Sequence, residues 1–275
     1  MIEMPEAMTI ARQMDETLTG KTFQHFGRGE LTHKFLWLNK PAEEYDAFLA
    51  GKQVTSARSY GRSIFLYVGE THLLCFAELG GRILYHPHGG QLPVKYHLRW
   101  DFTDGTTMTF NMQMWGFVGL LERSELSTPR YADVGVPPLS DGFTIECFDQ
   151  LLDAYPEKAQ KGIKGFLVTS KYVFGIGNGY LQDILFRAKI HPKRKIPTLS
   201  ASERSSLYAA IQDTMADAIR LNGREDEHDL FDRPGGYTRL MSTQTVGKPC
   251  PVCGTTIEKI SYLGGACYLC PNCQV

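Results

Sequence analysis

The chain has 275 residues, 43 % of them apolar, enough for about two domains with real cores. Its formal charge of −1 supplies no global pull toward nucleic acid or a membrane surface, so a polyanion would have to be held by a local patch. No apolar run approaches the roughly 18 residues needed to span a bilayer. The opening MIEMPEAMTIARQM lacks the basic start and long apolar stretch of a secretory signal. The expectation is therefore a cytoplasmic protein without a membrane partner, nucleoid-associated if the source is prokaryotic. In that compartment, closely spaced cysteines are more often metal ligands than disulfides.

In chain order, PEAMTIARQMDETL (5–18) predicts a helix. Pro5 suits its first turn, Glu6 complements the positive end of its dipole, and Met8, Ile10, Met14 and Leu18 form an apolar face. From Thr22 to about Leu121, short alternating segments (KFLWL, SIFLYV, HLLCFAEL, YHLRWDF, TMTFNMQMW) are split by GE, HPHGG and TDG. That pattern predicts an antiparallel β region, a sandwich or flattened barrel. DVGVPPLSDGF reads as a linker, and the chain then turns helical. IECFDQLLDAY and KAQKGIKGFLVTS each predict a helix, and GIGNGYLQDILFRAKI places a glycine-rich turn before another. LSASERSSLYAAIQDTMADAIRL opens with a capping box, Ser200 and Glu203, and stops at Asn222–Gly223. The densest basic run, RAKIHPKRK, is either a polyanion patch or a solvated loop. A loose stretch, 224–246, leads to the cysteine tail.

Cys250-x2-Cys253 and Cys270-x2-Cys273 are separated by 16 residues. Each pair suits a hairpin tip, so four thiolates can converge on one tetrahedral Zn2+. Such a unit has too little core of its own, so metal-binding energy is its folding energy. Four thiolates leave no open coordination position, which makes the zinc structural. Cys267, inside the arc, is either a packing residue or a swapped ligand.

MIEMPE, YGRSIFL, HLRWDFTDGTTMTFNMQMWG, DVGVPPLS, GFLVTSKYVFGIGNGYLQDILFRAKIHP and the cysteine tail, in this order, make the whole chain resemble the formamidopyrimidine-DNA glycosylase and endonuclease VIII family. The resemblance implies a fold of three parts: an N-terminal β-sandwich carrying the terminal helix (1–135), a helix–two-turn–helix DNA-binding domain (136–223), and a linker with a four-cysteine zinc-finger β-hairpin (224–275). It implies base-excision repair of double-stranded DNA by a monomer. Members flip a damaged base out of the duplex and release it. Their N-terminal proline amine attacks the sugar C1′ to form a Schiff base, a neighbouring Glu shuttles protons, and elimination cuts the strand.

Carried over residue by residue, the resemblance meets several departures. Ile2 stands where the family has its nucleophilic proline, and its bulk should keep Met1 in place. The terminal amine then belongs to Met1, about 3.5 Å of chain further out. Such an amine can still attack a carbonyl carbon. Glu3 and Glu6 match the two N-terminal acids, whose other reading is favourable charge at a helix start. Arg62 replaces a phosphate-contacting lysine and keeps its charge, unless an internal salt bridge claims it. Leu79 occupies a wedge position. In NMQMWG, Gln113 replaces the arginine that reads the orphaned base, and Trp115 replaces a phenylalanine wedge, with Met114 between them. Gln can bond a base edge and Trp stacks well, although Trp115 also fits a core. Asn178 and Tyr180 match the phosphate-binding turn, and Lys164 is a further phosphate candidate or a solvated lysine. Gly265 stands where the hairpin tip should carry a phosphate-gripping arginine.

Three functions follow. One is a divergent glycosylase with lyase activity weakened or lost. The second is a non-cutting binder of lesions or abasic sites, and the third a zinc-bearing scaffold for a protein partner.

Overall fold

The computed structural model describes residues 1–127 and 135–275. The first two residues of the expected linker, Asp133 and Val134, lie outside the described residues.

Helix α1 spans Met4–Leu18. The Glu6 carboxylate turns back to accept the Glu3 backbone N–H at 2.9 Å, satisfying a donor that the helix cannot. Ala7, Ile10, Met14 and Leu18 are buried on one face, whereas Met8, counted in the expected apolar face, points off it and is 39 % exposed. The β region holds nine strands among the described residues: β1 (Phe23–Arg28), β2 (Leu36–Leu38), β3 (Val54–Tyr60), β4 (Ser63–Val68), β5 (His72–Ala77), β6 (Gly81–His86), β7 (Leu98–Phe102), β8 (Thr107–Met112) and β9 (Gly116–Glu122). They form a four-stranded sheet, order β1-β7-β8-β6, and a five-stranded sheet, order β2-β9-β5-β4-β3. Trp100, Phe23, Phe26, Phe76, Phe102 and Phe110 fill the core with α1.

Two features correct the purely antiparallel expectation. β2 pairs with β9 in parallel, Leu36 opposite Gly116. A helix, α2 (Ala42–Leu49), interrupts the strands in KPAEEYDAFLA. Pro41 is its N-cap, Glu43 and Glu44 lie in the first turn, and Tyr45 and Leu49, one turn apart, are its buried residues.

By its internal contacts the chain divides into two units, Met1–Asp133 with Leu221–Gly236, and Val134–Arg220 with Tyr237–Val275. The return of Leu221–Gly236 to the first unit is made by specific bonds. Leu230 is in the core, its N–H donates to Gln13 Oε1 at 3.0 Å, and Gln13 Nε2 donates to Asp229 Oδ2 at 2.8 Å.

In the second unit, α3 (Ile145–Ala154) is capped by Thr144, whose hydroxyl accepts the Cys147 N–H. The helix expected across KAQKGIKGFLVTS is shorter: one turn at Gly162–Lys164 continues as a π-helix over Gly165–Thr169. Gly162 sits at φ 63°, and a Cβ there would lie 2.5 Å from the Arg194 carbonyl oxygen, so a regular helix cannot run through this position from KAQK. α4 spans Asn178–Arg187 and α5 Ala201–Arg220. The Ser200–Glu203 capping box is reciprocal: Ser200 N–H donates to the Glu203 carboxylate at 2.7 Å, and Glu203 N–H to Ser200 Oγ at 3.2 Å. Part of the expected linker is built into this unit. Val136 bridges Val173, and Phe143 is buried against Phe148 and Tyr208. Buried Asp183 on α4 accepts from Tyr237 Oη, Leu240 N–H and Met241 N–H at 2.8–3.0 Å. These bonds anchor the segment leading to the hairpin of β10 (Glu258–Tyr262) and β11 (Gly265–Leu269). Its two-residue turn has Leu263 and Gly264 both at positive φ, 50° and 73°, as a tight hairpin requires.

Candidate functional site

At the start of α1 the two expected acids are buried, Glu3 4 % and Glu6 3 % exposed. Their principal partner is a residue the sequence reading missed, Arg224. It is 3 % exposed and lies just after the left-handed pair Asn222 and Gly223, which ends the α5 exit. Its Nη1 donates to Glu3 Oε1 at 2.7 Å, and its Nη2 to the Met1 carbonyl at 2.7 Å and to Glu227 Oε1 at 3.3 Å. Its Nε lies 3.5 Å from Glu6 Oε1, and its backbone N–H donates to the same oxygen at 3.0 Å. A Cβ on Gly223 would sit 2.8 Å from Glu6 Cγ, so glycine is required where the chain passes this carboxylate. The Met1 amine pairs with Glu227 at 2.6 Å. Ile2 is buried, and its N–H donates to the Leu79 carbonyl at 2.8 Å. The signal for Arg224 and Glu227 was the charge-dense run GREDEHD immediately after a helix stop.

The same unit brings the base-reading candidates together. Gln113 and Met114 donate their N–H groups to the Gly80 carbonyl, and Gly80 N–H donates to the Trp115 carbonyl. Gln113 is exposed, Met114 is 50 % exposed and Trp115 40 %, so Trp115 is not a core residue. Trp115 packs on Phe35, with centroids 4.7 Å apart, and lies near-parallel to Trp37 at 6.5 Å. Leu79 is fully buried in the core, which corrects its reading as a wedge: a side chain with no exposed surface has nothing to insert. Arg62 pairs with Glu78 at 2.7 Å, the internal salt bridge weighed against its phosphate role.

In the second unit, Lys164, Asn178 and Gly265 converge. Lys164 is 2 % exposed, so it is not a solvated lysine. Its Nζ donates to the Tyr262 carbonyl at 2.8 Å and approaches the Gly265 carbonyl at 3.5 Å and Cys267 Sγ at 3.3 Å. A Cβ on Gly265 would lie 3.3 Å from Lys164 Nζ and 3.9 Å from Asn178 Oδ1. Asn178 is exposed in the first turn of α4, at the positive end of the helix dipole, and its Nδ2 donates to the Ala266 carbonyl at 3.2 Å. Tyr180 is fully buried, packed edge-on against Tyr237 at 5.4 Å, which makes it a core residue and not a surface contact. Most of the basic run is paired internally: Arg187 with Asp217, Arg194 with Glu203, and Lys195 with the Gln160 carbonyl.

The sulfurs of Cys250, Cys253, Cys270 and Cys273 lie within 4.8 Å of one another, an arrangement able to hold one metal ion. Cys267 is buried beside Lys164 and lies outside that cluster. No helix among the described residues is long and apolar enough to cross a membrane.

Two family models match in chain order. The formamidopyrimidine-DNA glycosylase N-terminal domain matches residues 1–114, and the formamidopyrimidine-DNA glycosylase H2TH domain matches residues 134–228. The chain is 31 % identical over 291 residues to the formamidopyrimidine-DNA glycosylase of Cytobacillus firmus, covering 100 % of both chains. It is 31 % identical over 287 residues to that of Lactobacillus helveticus (strain DPC 4571), covering 100 % of this chain and 99 % of the other. Among solved structures, it shares its fold with the Lactococcus lactis Fpg in complex with abasic-site DNA, at a TM-score of 0.86 and 22 % identity, over 99 % of each chain.

Proposed function

Because the chain belongs to the formamidopyrimidine-DNA glycosylase family, we propose that it is a DNA glycosylase that binds damaged double-stranded DNA and releases a base, with its strand-cutting lyase activity weakened or lost. The observation that carries this reading is the end-to-end match to relatives of that name at 31 % identity, with both acids retained at the start of α1.

Base release breaks the bond from the sugar C1′ to the base nitrogen. The bonding electrons leave with the base, and a cation-like sugar forms before water adds its oxygen to C1′ and its proton passes to the departing base. A buried carboxylate stabilises that cation, and Glu3 takes this role. Lyase chemistry needs a nucleophilic amine. The nitrogen of Ile2 is a peptide N–H donating to Leu79, and the Met1 amine is held in an ion pair with Glu227. Both features support weakened Schiff-base formation.

Trp115, with Met114 beside it, fills the gap left by the flipped base, and Gln113 bonds the edge of the orphaned partner. The helix start at Asn178, together with Lys164 and Arg62, contacts phosphate. Cys250, Cys253, Cys270 and Cys273 fit a structural zinc through their all-thiolate donor set. The bound ion supplies rigidity to the hairpin carrying Gly265 and the Lys164 partners. The protein acts as a monomer in the cytoplasm, at the chromosome.

The test is incubation of the zinc-loaded protein with duplexes carrying oxidised purines, oxidised pyrimidines or alkylated bases, with released bases measured by mass spectrometry. Release from at least one duplex supports the reading. Tight binding to an abasic duplex with no release from any would replace it with the non-cutting binder.

A further inference from the structure

Arg224 is placed to do more than tie down a loop. Its guanidinium is buried, and its fork is divided among Glu3, the Met1 carbonyl and Glu227, with Nε near Glu6. Asp226 is 3.8 Å from Nε. Lysine offers one point charge and lacks the planar fork that reaches several partners in fixed directions. The surrounding loop is shaped to deliver it. Asn222 and Gly223 turn the chain through the left-handed region, Gly235 N–H closes the loop on the Glu227 carbonyl, and Gly223 clears Glu6. The cluster sets four carboxylates, Glu3, Glu6, Asp226 and Glu227, against two cations, Arg224 and the Met1 amine. Its formal charge is negative, which suits a reaction that develops positive charge on the sugar.

We propose that Arg224 is a positioning residue for base release, holding Glu3 in one orientation so that it acts as a fixed carboxylate beside the forming sugar cation. This rests on the glycosylase reading above. Without Arg224, Glu3 would keep its place in the chain and lose its direction, and misplacement by about 1 Å costs on the order of 10²-fold in rate. Phosphate contacts and the zinc hairpin would be untouched.

The experiment compares full-length, zinc-loaded wild type with Arg224→Met and Arg224→Lys. Single-turnover base release is measured on whichever panel duplex the wild type processes, and affinity on a duplex carrying a tetrahydrofuran abasic analogue. The expected result is a loss of about 100-fold in rate for Arg224→Met, with affinity within about threefold and partial recovery in Arg224→Lys. Arg224→Lys retains the charge and also guards against a Met variant that fails to fold. Equal rates in all three proteins would overturn the proposal. So would parallel losses of rate and affinity that lysine does not relieve, since those report only a structural clamp. A double-mutant cycle between Glu3→Gln and Arg224→Met, read by thermal unfolding, separates the two levels of inference. Coupling with no base release by the wild type sinks the glycosylase reading and the positioning role with it. Base release by the wild type without coupling sinks the positioning role alone.

Discussion

Two buried cations, Arg224 in the first unit and Lys164 in the second, are held in opposite ways. Arg224 is enclosed by carboxylates, so its charge is spent inside the protein. Lys164 touches carbonyl oxygens and a thiol, and no carboxylate partner is found for it among the described residues. Dipoles orient an ammonium without cancelling it, and an uncancelled buried charge is strongly attractive to an anion. The first arrangement balances its cation with fixed carboxylates, and the second surrounds its cation with carbonyl oxygens and a thiol alone. Arg224 bonds the residues on either side of Ile2, and Lys164 lies against Gly265, so the two positions are held by different physics.

The contrast can be tested from its largest expected effect downward. Removing the metal with a chelator, or replacing Cys270 with Ser, removes folding energy on the order of 10 kcal/mol from the hairpin. Amide exchange across 247–275 should become fast and binding to abasic duplex should be lost together, while α1 and the β-sheets keep their protection. Binding that survives verified metal loss would show that the hairpin does not hold DNA.

Next is Lys164. Lys164→Met should weaken abasic-duplex binding by about 1.5–3 kcal/mol, the value of a charge-assisted contact, with the same loss on every sequence. Gly265→Arg should strengthen binding, because the nearest neighbour of its new Cβ is the flexible end of Lys164. Unchanged affinity in both variants, read by fluorescence anisotropy, would mean that the hairpin tip faces no phosphate.

Arg62→Ala with Asn178→Ala should weaken binding across all sequences and reduce the salt dependence by about one to two phosphate contacts. The Arg62 share is the smaller, because Glu78 already holds that side chain. An unaltered salt slope in the double variant would remove both residues from the interface.

The smallest effect concerns acid. His97 Nδ1 accepts the Met112 N–H at 3.0 Å, just before the Gln113–Trp115 segment, and burial lowers its pKa below the usual 6.5. The folded state therefore binds this proton less readily than the unfolded chain. The stabilisation is full above pH 6.5 and is lost as the pH falls through that value toward the folded pKa. Thermal unfolding of His97→Gln should show a weaker dependence on pH below 6.5 than the wild type. An identical dependence would show that His97 does not carry it.

Much of the fold could be read from the residues because local signals agreed with tertiary structure. The Ser200–Glu203 box and the cysteine spacing state their own geometry, and Ile10, Met14 and Leu18 of the expected α1 face are buried while Met8 is not. α2 was missed because KPAEEYDAFLA is short, and only Tyr45 and Leu49 are buried. The π-helical Gly165–Thr169 followed a glycine at positive φ, which a helical pattern does not reveal. Position-by-position resemblance named Glu3, Glu6, Gln113, Trp115 and Asn178 as candidates, but could not tell surface from core. Leu79 and Tyr180 proved to be buried. Arg224 escaped because its partners on α1 and at the N-terminus, Glu6, Glu3 and Met1, lie 218–223 residues away in the chain, a separation that no local pattern encodes.

The most direct test of the central claim is one gel of end-labelled duplex after incubation with the zinc-loaded protein, run with and without hot alkali, beside a borohydride-treated sample. A glycosylase with weakened lyase activity predicts cleavage that appears mainly after alkali and little covalent adduct. Full strand scission without alkali, with strong borohydride trapping, would contradict it and give the N-terminal amine back its nucleophilic role.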